Sequence, residues 1–334
     1  MGKKTVLRLR GMAAVWAICA LLCGPALAAD TLIPVGQAVG IQLDIEGVLV
    51  AGVSEIETAD GLASPGKDGG LRVGDIILAV DGAAVHSSQE LTERISARGG
   101  ADTELTVKRD GRTQQLSVRP AETADGSARL GLWLRDGIAG VGTVTYIDPE
   151  TGAFGALGHG VNDVESGTLL PLEDGAICPV QVVEVKAGKA GQPGELAGCF
   201  EAGREIGEIR DNTSCGIFGV ARDGSLRCGQ PIPVAGEEQI RPGPATILTC
   251  VAGQTVRAYE VEISPVGLGA GDGRDLMVHV TDPELLAVTG GIVQGMSGSP
   301  IIQNGRLVGA ITHVLVNDPT RGYGILIENM LAAA

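Results

Sequence analysis

Aromatic residues are scarce in this chain of 334 residues, which has two Trp, three Tyr and three Phe. The hydrophobic core must therefore be built mainly from Val, Ile, Leu and Ala. Glycine, by contrast, is abundant, at 52 residues. This composition favours many short strands joined by tight turns over long helices. The sequence predicts a mainly β protein.

Positive charge is also in short supply, since 25 Lys and Arg residues stand against 40 Asp and Glu, which gives a formal net charge of −15. Nucleic-acid phosphates are bound by clustered Lys and Arg, and the folded part has no such cluster in its sequence. The same balance argues against adhesion of the folded part to an anionic membrane surface. The acidity is explained by solubility, and nucleic acid is excluded as a partner.

Closely spaced cysteines are missing as well. Two of the seven cysteines lie among the first 30 residues, and the other five are Cys178, Cys199, Cys215, Cys228 and Cys250. No pair has the Cys-x-x-Cys spacing of a zinc or redox site, so the sequence predicts no metal site and no cofactor. The five are either buried small apolar residues, or they form one or two disulfides with one thiol left over.

The first 29 residues differ in character from the rest. Four Lys and Arg residues within the first ten positions precede an apolar run over residues 12 to 29. Ala26-Leu27-Ala28 has the small-x-small form of a signal peptidase site. Residues 1–29 are therefore predicted to be a signal peptide or membrane anchor that takes the protein across the cytoplasmic membrane. Cleavage after Ala28 and retention as a short anchor both remain open.

Residues 30–122 are predicted to fold as short strands with one helix. Ser87 or Ser88 can cap this helix at its start, and Gly99-Gly100 stops it. The turn Asp110-Gly111 then joins two strands of alternating polarity into a hairpin.

The same unit resembles a PDZ domain of the kind found in bacterial exported proteases. The resemblance rests on Gly-Leu-Arg-Val-Gly-Asp-Ile-Ile at residues 70–77, followed by Val80-Asp81-Gly82 and the helix. A PDZ domain binds an extended peptide as an added strand at an open sheet edge. The resemblance implies a groove between a strand and the helix, formed by Gly40, Ile41, Leu43 and Leu91. The alternative is a spacer with a PDZ-like core.

Residues 128–334 follow a short polar linker and are predicted to form a second folded unit. Apolar strands recur there between glycines, as at residues 142–147 and 180–185. This pattern indicates an all-β barrel or sandwich.

Ser297 lies in the sequence Gly295-Met296-Ser297-Gly298-Ser299-Pro300. A hydroxyl is a poor nucleophile at its own pKa, so it needs an imidazole to take its proton and a carboxylate to fix that imidazole's tautomer. The glycines allow a tight turn that directs the N–H groups of Gly295 and Ser297 at the oxygen that becomes negative during acyl transfer. The motif predicts a nucleophile and an oxyanion hole, and Ser299 is the rival nucleophile.

His159 is the candidate for the imidazole. It lies between two glycines, so its ring has little crowding and can sit at the edge of a cleft. Asp282 comes between His159 and Ser297 in the sequence. The order of His, Asp and Ser suggests a serine peptidase, although unrelated hydrolases use other orders with the same geometry.

The base and the carboxylate each have a rival in the sequence. His313 is the rival base, and Asp163 is the rival orienting carboxylate. Asp282 precedes Pro283 and could simply start a turn or helix, because proline suits the first helical position. His86 and His279 belong to no motif and are interpreted as surface or packing residues.

Four stretches of the second unit together resemble the SpoIVB peptidases, the stage IV sporulation protein B family of endospore formers. These stretches are residues 155–163, 281–283, 289–303 and 312–324. The resemblance also covers the order of leader, PDZ unit and peptidase unit. It implies a chymotrypsin-like serine peptidase fold with a catalytic triad of Ser297, His159 and Asp282.

The resemblance further implies a sporulation signalling endopeptidase in the forespore intermembrane space. Such an enzyme cleaves itself and a membrane-associated regulator of an intramembrane protease, which triggers pro-sigma-K processing. Its PDZ unit would bind either the protein's own N-terminal segment or the C-terminus of a partner. Two rival functions stay open: a general envelope quality-control protease, which usually carries the PDZ domain after the catalytic unit, and a PDZ-containing adaptor with an inactive peptidase-like unit.

Overall fold

The computed structural model describes residues 31–164, 167–201, 203–222, 224–266 and 273–334. The predicted signal peptide or anchor at residues 1–29 lies outside the described residues. Within the described ranges strands dominate and every helix is too short to span a bilayer. The predicted mainly β class is confirmed.

The elements up to residue 129 are the following: β1 (Thr31–Pro34), β2 (Ala38–Val53), β3 (Ile56–Thr58), β4 (Gly61–Ala63), α1 (Pro65–Asp68), β5 (Ile76–Val80), β6 (Ala83–Ala84), α2 (Ser88–Arg98), β7 (Thr103–Arg109), β8 (Arg112–Val118), β9 (Ala121–Glu122) and β10 (Ala128–Arg129). The remaining elements are β11 (Leu132–Ile147), β12 (Ala153–Ala156), β13 (Leu172–Lys186), β14 (Glu195–Phe200), β15 (Gly207–Thr213), β16 (Gly216–Ala221), β17 (Ile232–Pro233), β18 (Gly243–Thr249), β19 (Arg257–Pro265), β20 (Leu276–Val280), α3 (Pro283–Thr289), β21 (Pro300–Gln303), β22 (Arg306–Leu315), β23 (Asp318–Leu326) and α4 (Ile327–Ala332). Single 3₁₀ turns occur at Gly224–Leu226 and Glu237–Gln239.

The first β-barrel closes through a ring of six antiparallel strand pairs. Strand β2 pairs with β11 and β13, β11 with β12, β12 with β16, β16 with β15, and β15 with β13. The barrel encloses apolar side chains that include Val144, Phe154, Ile177 and Ile217. As the composition predicts, this core is mostly aliphatic.

The second barrel is closed by β18, β19, β20, β23, β22 and β21. Its core contains Ile247, Val261, Val278 and Ile311, all at most 1% exposed. Two packed six-stranded barrels are the architecture of the chymotrypsin-like serine peptidases. The predicted fold class is confirmed.

The PDZ unit packs helix α2 against β5, β7 and neighbouring strands. The Ser87 hydroxyl accepts from the N–H of Glu90, which caps the start of α2, and the helix ends at Gly99 as predicted. Asp110 and Gly111 have positive φ angles of 50° and 73°. These are the values of a type I′ turn, which matches the twist of the hairpin strands β7 and β8.

Strand β2 runs through both units. Its first part, up to Asp44, pairs with β11 and β13 of the first barrel, whereas Val48 and Leu49 pair with β5 of the PDZ unit. The predicted linker at residues 121–128 contains the paired short strands β9 and β10. The domain boundaries stay a prediction, but β2 and β11 both run from the PDZ core into the first barrel.

In the described part of the chain the five cysteines are free thiols, so neither of the possible disulfides forms. Cys178 and Cys250 are buried, in keeping with the interpretation as small apolar residues. Cys199 lies on the strand beside that of Cys178, but its pairing partner is Gln181. Register therefore keeps these two thiols apart.

Candidate active site

A cavity of about 410 Å³ contains the two strongest candidate residues, Ser297 and His159. Strands β2 and β11 and the segment that follows β12 line it from the first barrel. The segments 292–297 and 312–314 line it from the second. Two residues far apart in the sequence thus meet in one cleft because each barrel contributes one of them.

Ser297 lies in the loop before β21, which we call the nucleophile loop, residues 290–299. Its hydroxyl donates a 2.9 Å hydrogen bond to the carbonyl oxygen of Thr312 in β22. The loop turns tightly because Gly295 and Gly298 have φ angles of +97° and +95°. A Cβ at Gly298 would lie 2.0 Å from the carbonyl oxygen of Thr143, so only glycine fits there.

The orientation of the N–H groups of Gly295 and Ser297 is fixed by hydrogen bonds that the carbonyl group of the same peptide unit accepts. The carbonyl of Gln294 accepts from the N–H of Leu196 at 2.9 Å, and the carbonyl of Met296 accepts from within the loop at 3.0 Å. In a trans peptide the N–H points opposite to the carbonyl, so both N–H groups point away from these anchors. Neither donates to another described residue, and both suit a developing oxyanion.

Two threonines of β11 fix the nucleophile loop to the first barrel. The Thr143 hydroxyl donates to the carbonyl of Gly295, and the Thr145 hydroxyl donates to the carbonyl of Gly298, both at 2.8 Å. Both threonines are fully buried. Sequence reasoning missed them, because nothing in an alternating strand marks which threonines face another domain.

The imidazole of His159 has the tautomer that a general base needs. Its Nδ1 atom lies 2.9 Å from the carbonyl oxygen of Gly160. A carbonyl can only accept, so Nδ1 carries the proton and Nε2 keeps its lone pair. Burial lowers the pKa of His159 below its ordinary value of 6.5, and the bond to Gly160 offsets part of that shift. The ring is therefore neutral at neutral pH.

His313, the rival base, stands beside His159 in the same cavity. The two ring centroids are 5.2 Å apart, and the ring planes are inclined at 36°. His313 follows Thr312 in β22 and is exposed. Both histidines that the sequence offered as the base therefore lie in one site, and His159 is the less exposed of the two.

Asp282, the predicted third member, is not among the residues that line the cavity. Its Oδ1 accepts from the N–H groups of Glu284 and Leu285 at 2.9 and 3.0 Å, and its Oδ2 accepts from the N–H of Glu260 at 3.3 Å. Asp282 is thus the N-cap of α3, with Pro283 at the first helical position. The structure does not join it to His159, and its catalytic role stays a prediction.

The rival carboxylate Asp163 and the rival nucleophile Ser299 also lie outside the cavity lining. Asp163 is buried, and its backbone closes a turn with Thr168 and Gly167. Ser299 is fully buried, with its backbone bonded to Met296 and Ile311. Of the two serines in the motif, Ser297 is the one that reaches the cleft.

Three of the four residues predicted to form the PDZ peptide groove do not lie at an open sheet edge. Ile41 is paired with β11 on one side and with β13 on the other, and the same holds for Gly40 and Leu43. No sheet edge is open there, and Ile41 and Leu43 line the cavity that contains Ser297 instead. The apolar pattern around them was correct for a strand but could not reveal its neighbours.

Leu91 does line a groove, of about 250 Å³, between α2 and residues 130–134. The carbonyls of Leu130 and Gly131 accept from the N–H groups of Gly66 and Ser54 at 2.8 and 2.9 Å. The N–H groups of Leu130 and Gly131 donate to no described residue, so they remain available to a ligand. The signal in the sequence that could have located this groove is the Leu-Gly-Leu-Trp stretch at residues 130–133.

Comparisons with known proteins give a match for each of the two units. The model of the SpoIVB peptidase S55 family matches residues 126–331, and that of the PDZ domain matches residues 42–119. A probable periplasmic serine endoprotease DegP-like of Pseudomonas savastanoi pv. phaseolicola (strain 1448A / Race 6) is 38% identical over 86 residues, which cover 25% of this chain and 16% of that relative. The chain thus spans only a small part of that relative's length.

Similar solved structures include one for each unit. The PDZ domain of the SdrC-like protein of Listeria monocytogenes is 27% identical, and the match covers 27% of this chain and 90% of that one with a TM-score of 0.23. The thermostable serine protease AL20 from an extremophilic microorganism is 13% identical, and the match covers 58% of this chain and 90% of that one with a TM-score of 0.35.

Fold, cleft and family models together define the class of this chain, which joins a PDZ unit to a unit of the serine peptidase fold. The chain belongs to the SpoIVB peptidase S55 family, whose model matches more than half of its length.

Proposed function

We propose that this protein hydrolyses peptide bonds with Ser297 as nucleophile and His159 as general base. The observation that carries the proposal is their common cavity, in which a neutral His159 faces the cleft and two N–H groups of the nucleophile loop are available. These are the components that acyl transfer requires.

For the reaction to begin, the Ser297 hydroxyl must leave the carbonyl of Thr312 and donate to Nε2 of His159. Its oxygen attacks the scissile carbonyl while His159 takes the proton. The N–H groups of Gly295 and Ser297 stabilise the negative oxygen. His159 then protonates the leaving amine, and water releases the acyl group by the reverse sequence.

The carbonyl of Gly160 accepts a hydrogen bond from Nδ1–H of His159. This bond orients the imidazole, which is the role of the third member in a catalytic triad. Asp282 keeps its predicted place as third member only if α3 or the His159 loop rearranges. Substitutions at Asp282 that preserve its capping role separate these possibilities.

We further propose that the protein is an exported signalling endopeptidase, which cleaves itself and a membrane-associated regulator of an intramembrane protease in the forespore intermembrane space. Membership of the SpoIVB family and the basic, apolar leader support this role. The PDZ groove would bind a peptide from the protein's own N-terminal segment or from a partner's C-terminus.

A fluorophosphonate probe and a disordered protein substrate test the chemistry. The parent should be labelled and should cut the substrate, whereas Ser297→Ala should do neither and should unfold at the parental urea concentration. Ser299→Ala is the matched control and should still be labelled. Labelling of Ser297→Ala at the parental rate would refute the assignment.

The same experiment bears on the rival functions. A folded parent that neither reacts with the probe nor cuts any substrate would be an adaptor with an inactive peptidase unit. A parent that cuts many unfolded proteins, with no preference for its own N-terminal region, would be a quality-control protease.

A further inference from the structure

Strand β11 connects the PDZ groove to the catalytic cavity. Residues 132–134 line the groove beside α2, and Ile138, Gly140 and Val141 line the cavity that holds Ser297. At about 3.3 Å per residue, the roughly nine steps from Leu132 to Val141 span roughly 30 Å. One continuous backbone thus passes both places where a peptide would bind.

One edge of this strand segment is covered and the other is open. Residues 132–135 and 137–143 pair with β2, with register shifts between Trp133 and Leu134 and between Arg135 and Gly137. The described strands β1 and β12 reach only residues 144–147 of β11. No described strand pairs with the second edge between residues 132 and 141. Ala139 and Gly140 are exposed, and a Cβ at Gly140 would meet nothing within 4 Å.

The hydrogen bonds of Thr143 show which backbone groups of β11 face the open edge. Its N–H donates to the carbonyl of Ser297 at 3.0 Å, and its carbonyl accepts from Leu157 at 3.1 Å, so both point away from β2. The register with β2 is regular from residue 137 to residue 143. Backbone direction alternates along a strand, so the N–H and carbonyl groups of Val141 and Ala139 also point to the open edge.

The direction of an added strand is set by the groove. The available N–H groups of Leu130 and Gly131, next to the positive φ of +68° at Gly131, suit a terminal carboxylate. A peptide anchored there by its C-terminus would run antiparallel to β11, from Leu132 back towards Val141 and Ser297. Its upstream residues would therefore enter the catalytic cavity.

Acidic side chains lie beside the middle of this path. Asp44 is paired with Gly137, and burial together with the nearby carboxylates of Asp174, Glu173 and Asp136 raises its pKa. Two of these acids have partners, because Asp136 accepts from Ser88 and Glu173 is bonded to His86. Ser88 is neutral, and the four carboxylates outnumber Arg135 of the same stretch of β11 and His86. The excess of negative charge therefore favours a basic residue in a peptide that crosses this point.

We infer that β11 is a ruler that presents the C-terminal segment of a protein substrate to Ser297. The occupant is an extended peptide with an apolar last residue, a free carboxylate and a Lys or Arg near its middle. Because one substrate residue pairs with each β11 residue, the cut falls about ten residues before the C-terminus. The inference rests on the proposed function, since it takes Ser297 as the nucleophile.

The ruler is tested with a disordered reporter whose last twenty or so positions are randomised and whose final residue is Val. Mass spectrometry of the fragments should place the cuts about 9 to 12 residues from the free C-terminus. In a reporter with an amidated C-terminus this clustering should vanish. Among the randomised sequences, those with Lys or Arg near the middle of the segment should be cut faster at the clustered positions than those with Glu there. Cuts at the same positions in both reporters would overturn the inference.

The variant Ala139→Pro tests the ruler from the side of the protein. It removes one N–H from the open edge but none from the ladder with β2, and proline is tolerated on such edges. The rate on the reporter, relative to that on a peptidyl p-nitroanilide with nothing beyond the scissile bond, should fall about five- to tenfold, the effect of one or two lost hydrogen bonds. Ala139→Ser, which keeps the N–H, should leave this ratio at the parental value.

The two proposals fail in different ways. No probe labelling and no p-nitroanilide hydrolysis by the parent would refute the proposed chemistry. The ruler alone would be refuted if the p-nitroanilide is hydrolysed normally and a folded Ala139→Pro variant keeps the parental ratio of reporter to p-nitroanilide rates. Normal p-nitroanilide hydrolysis with reporter cuts scattered regardless of the C-terminus would also refute it.

Discussion

The hydroxyl of Thr143 donates a 2.8 Å hydrogen bond to the carbonyl oxygen of Gly295. Thr143 belongs to the first barrel and Gly295 to the nucleophile loop of the second, so the bond crosses the interface between the barrels. The backbone N–H of Thr143 adds a bond to the carbonyl of Ser297. The strand that we propose as the substrate track therefore also holds the oxyanion hole in place.

We expect Thr143→Val to lower both stability and activity. Valine keeps the shape of threonine but leaves the buried Gly295 carbonyl without its donor, which costs about 1–3 kcal/mol of unfolding free energy. A looser oxyanion hole should reduce kcat/KM at least about tenfold. Urea unfolding and p-nitroanilide hydrolysis measure the two effects. Thr143→Ser, which keeps the hydroxyl, is the control, and equal losses in both variants would contradict this account.

The pH profile should report the tautomer and burial of His159. Burial lowers the pKa of His159, so the neutral base persists below its ordinary value of 6.5 and the acid limb of kcat/KM should have its midpoint below that value. Protonation is also less favourable in the folded state than in the unfolded state, so His159 reduces stability as the pH falls below 6.5.

The matched substitution for this prediction is at His313. His313→Asn should retain the acid limb and most of the activity, whereas His159→Ala should lose activity by a factor on the order of 10³ or more, as expected for one member of a catalytic unit. The opposite ranking, or an acid limb that disappears with His313, would make His313 the base.

Substitutions at Asp282 should separate its cap role from a catalytic one. Asp282→Ala removes the acceptor for the first N–H groups of α3, and the loss of an N-cap costs about 1 kcal/mol. Asparagine caps nearly as well, so Asp282→Asn should keep most of the stability and activity. Denaturant unfolding and hydrolysis rates measure both. A folded Asp282→Asn variant as inactive as Ser297→Ala would instead establish the carboxylate as the third member.

The parts of the site that the sequence could predict are local. Glycines around Ser297 indicate a tight turn, and in the structure Gly295 and Gly298 have the positive φ that such a turn needs. Likewise Pro283 after Asp282 indicates a helix start, which is the role that the structure gives Asp282. Both signals work because neighbours in the chain determine these conformations.

The parts that the sequence could not predict depend on pairing between distant strands. The pattern around Ile41 identifies a strand correctly, but it cannot say that β11 and β13 occupy both edges of that strand. Those pairings bring Ile41 to the cavity that contains Ser297, whereas residues 130–134 line the groove beside α2. Side-chain alternation fixes which face is buried and leaves the partner strand undetermined.

Gly131→Ala should disable the PDZ groove. Gly131 has a φ of +68°, and a Cβ there would lie 2.4 Å from the carbonyl of Ser54, so the turn that presents the available N–H groups must shift. We expect the affinity for a labelled peptide ending in Val with a free carboxylate, measured by fluorescence anisotropy, to fall at least about tenfold, the equivalent of about 1.4 kcal/mol.

Gly82→Ala is the matched control, because Gly82 has a φ of +77° with nothing within 4 Å of its Cβ position. Both variants bear the cost of an alanine at positive φ, about 1 kcal/mol. A difference in affinity therefore isolates the groove, whereas equal affinities of the two folded variants would place the peptide site elsewhere.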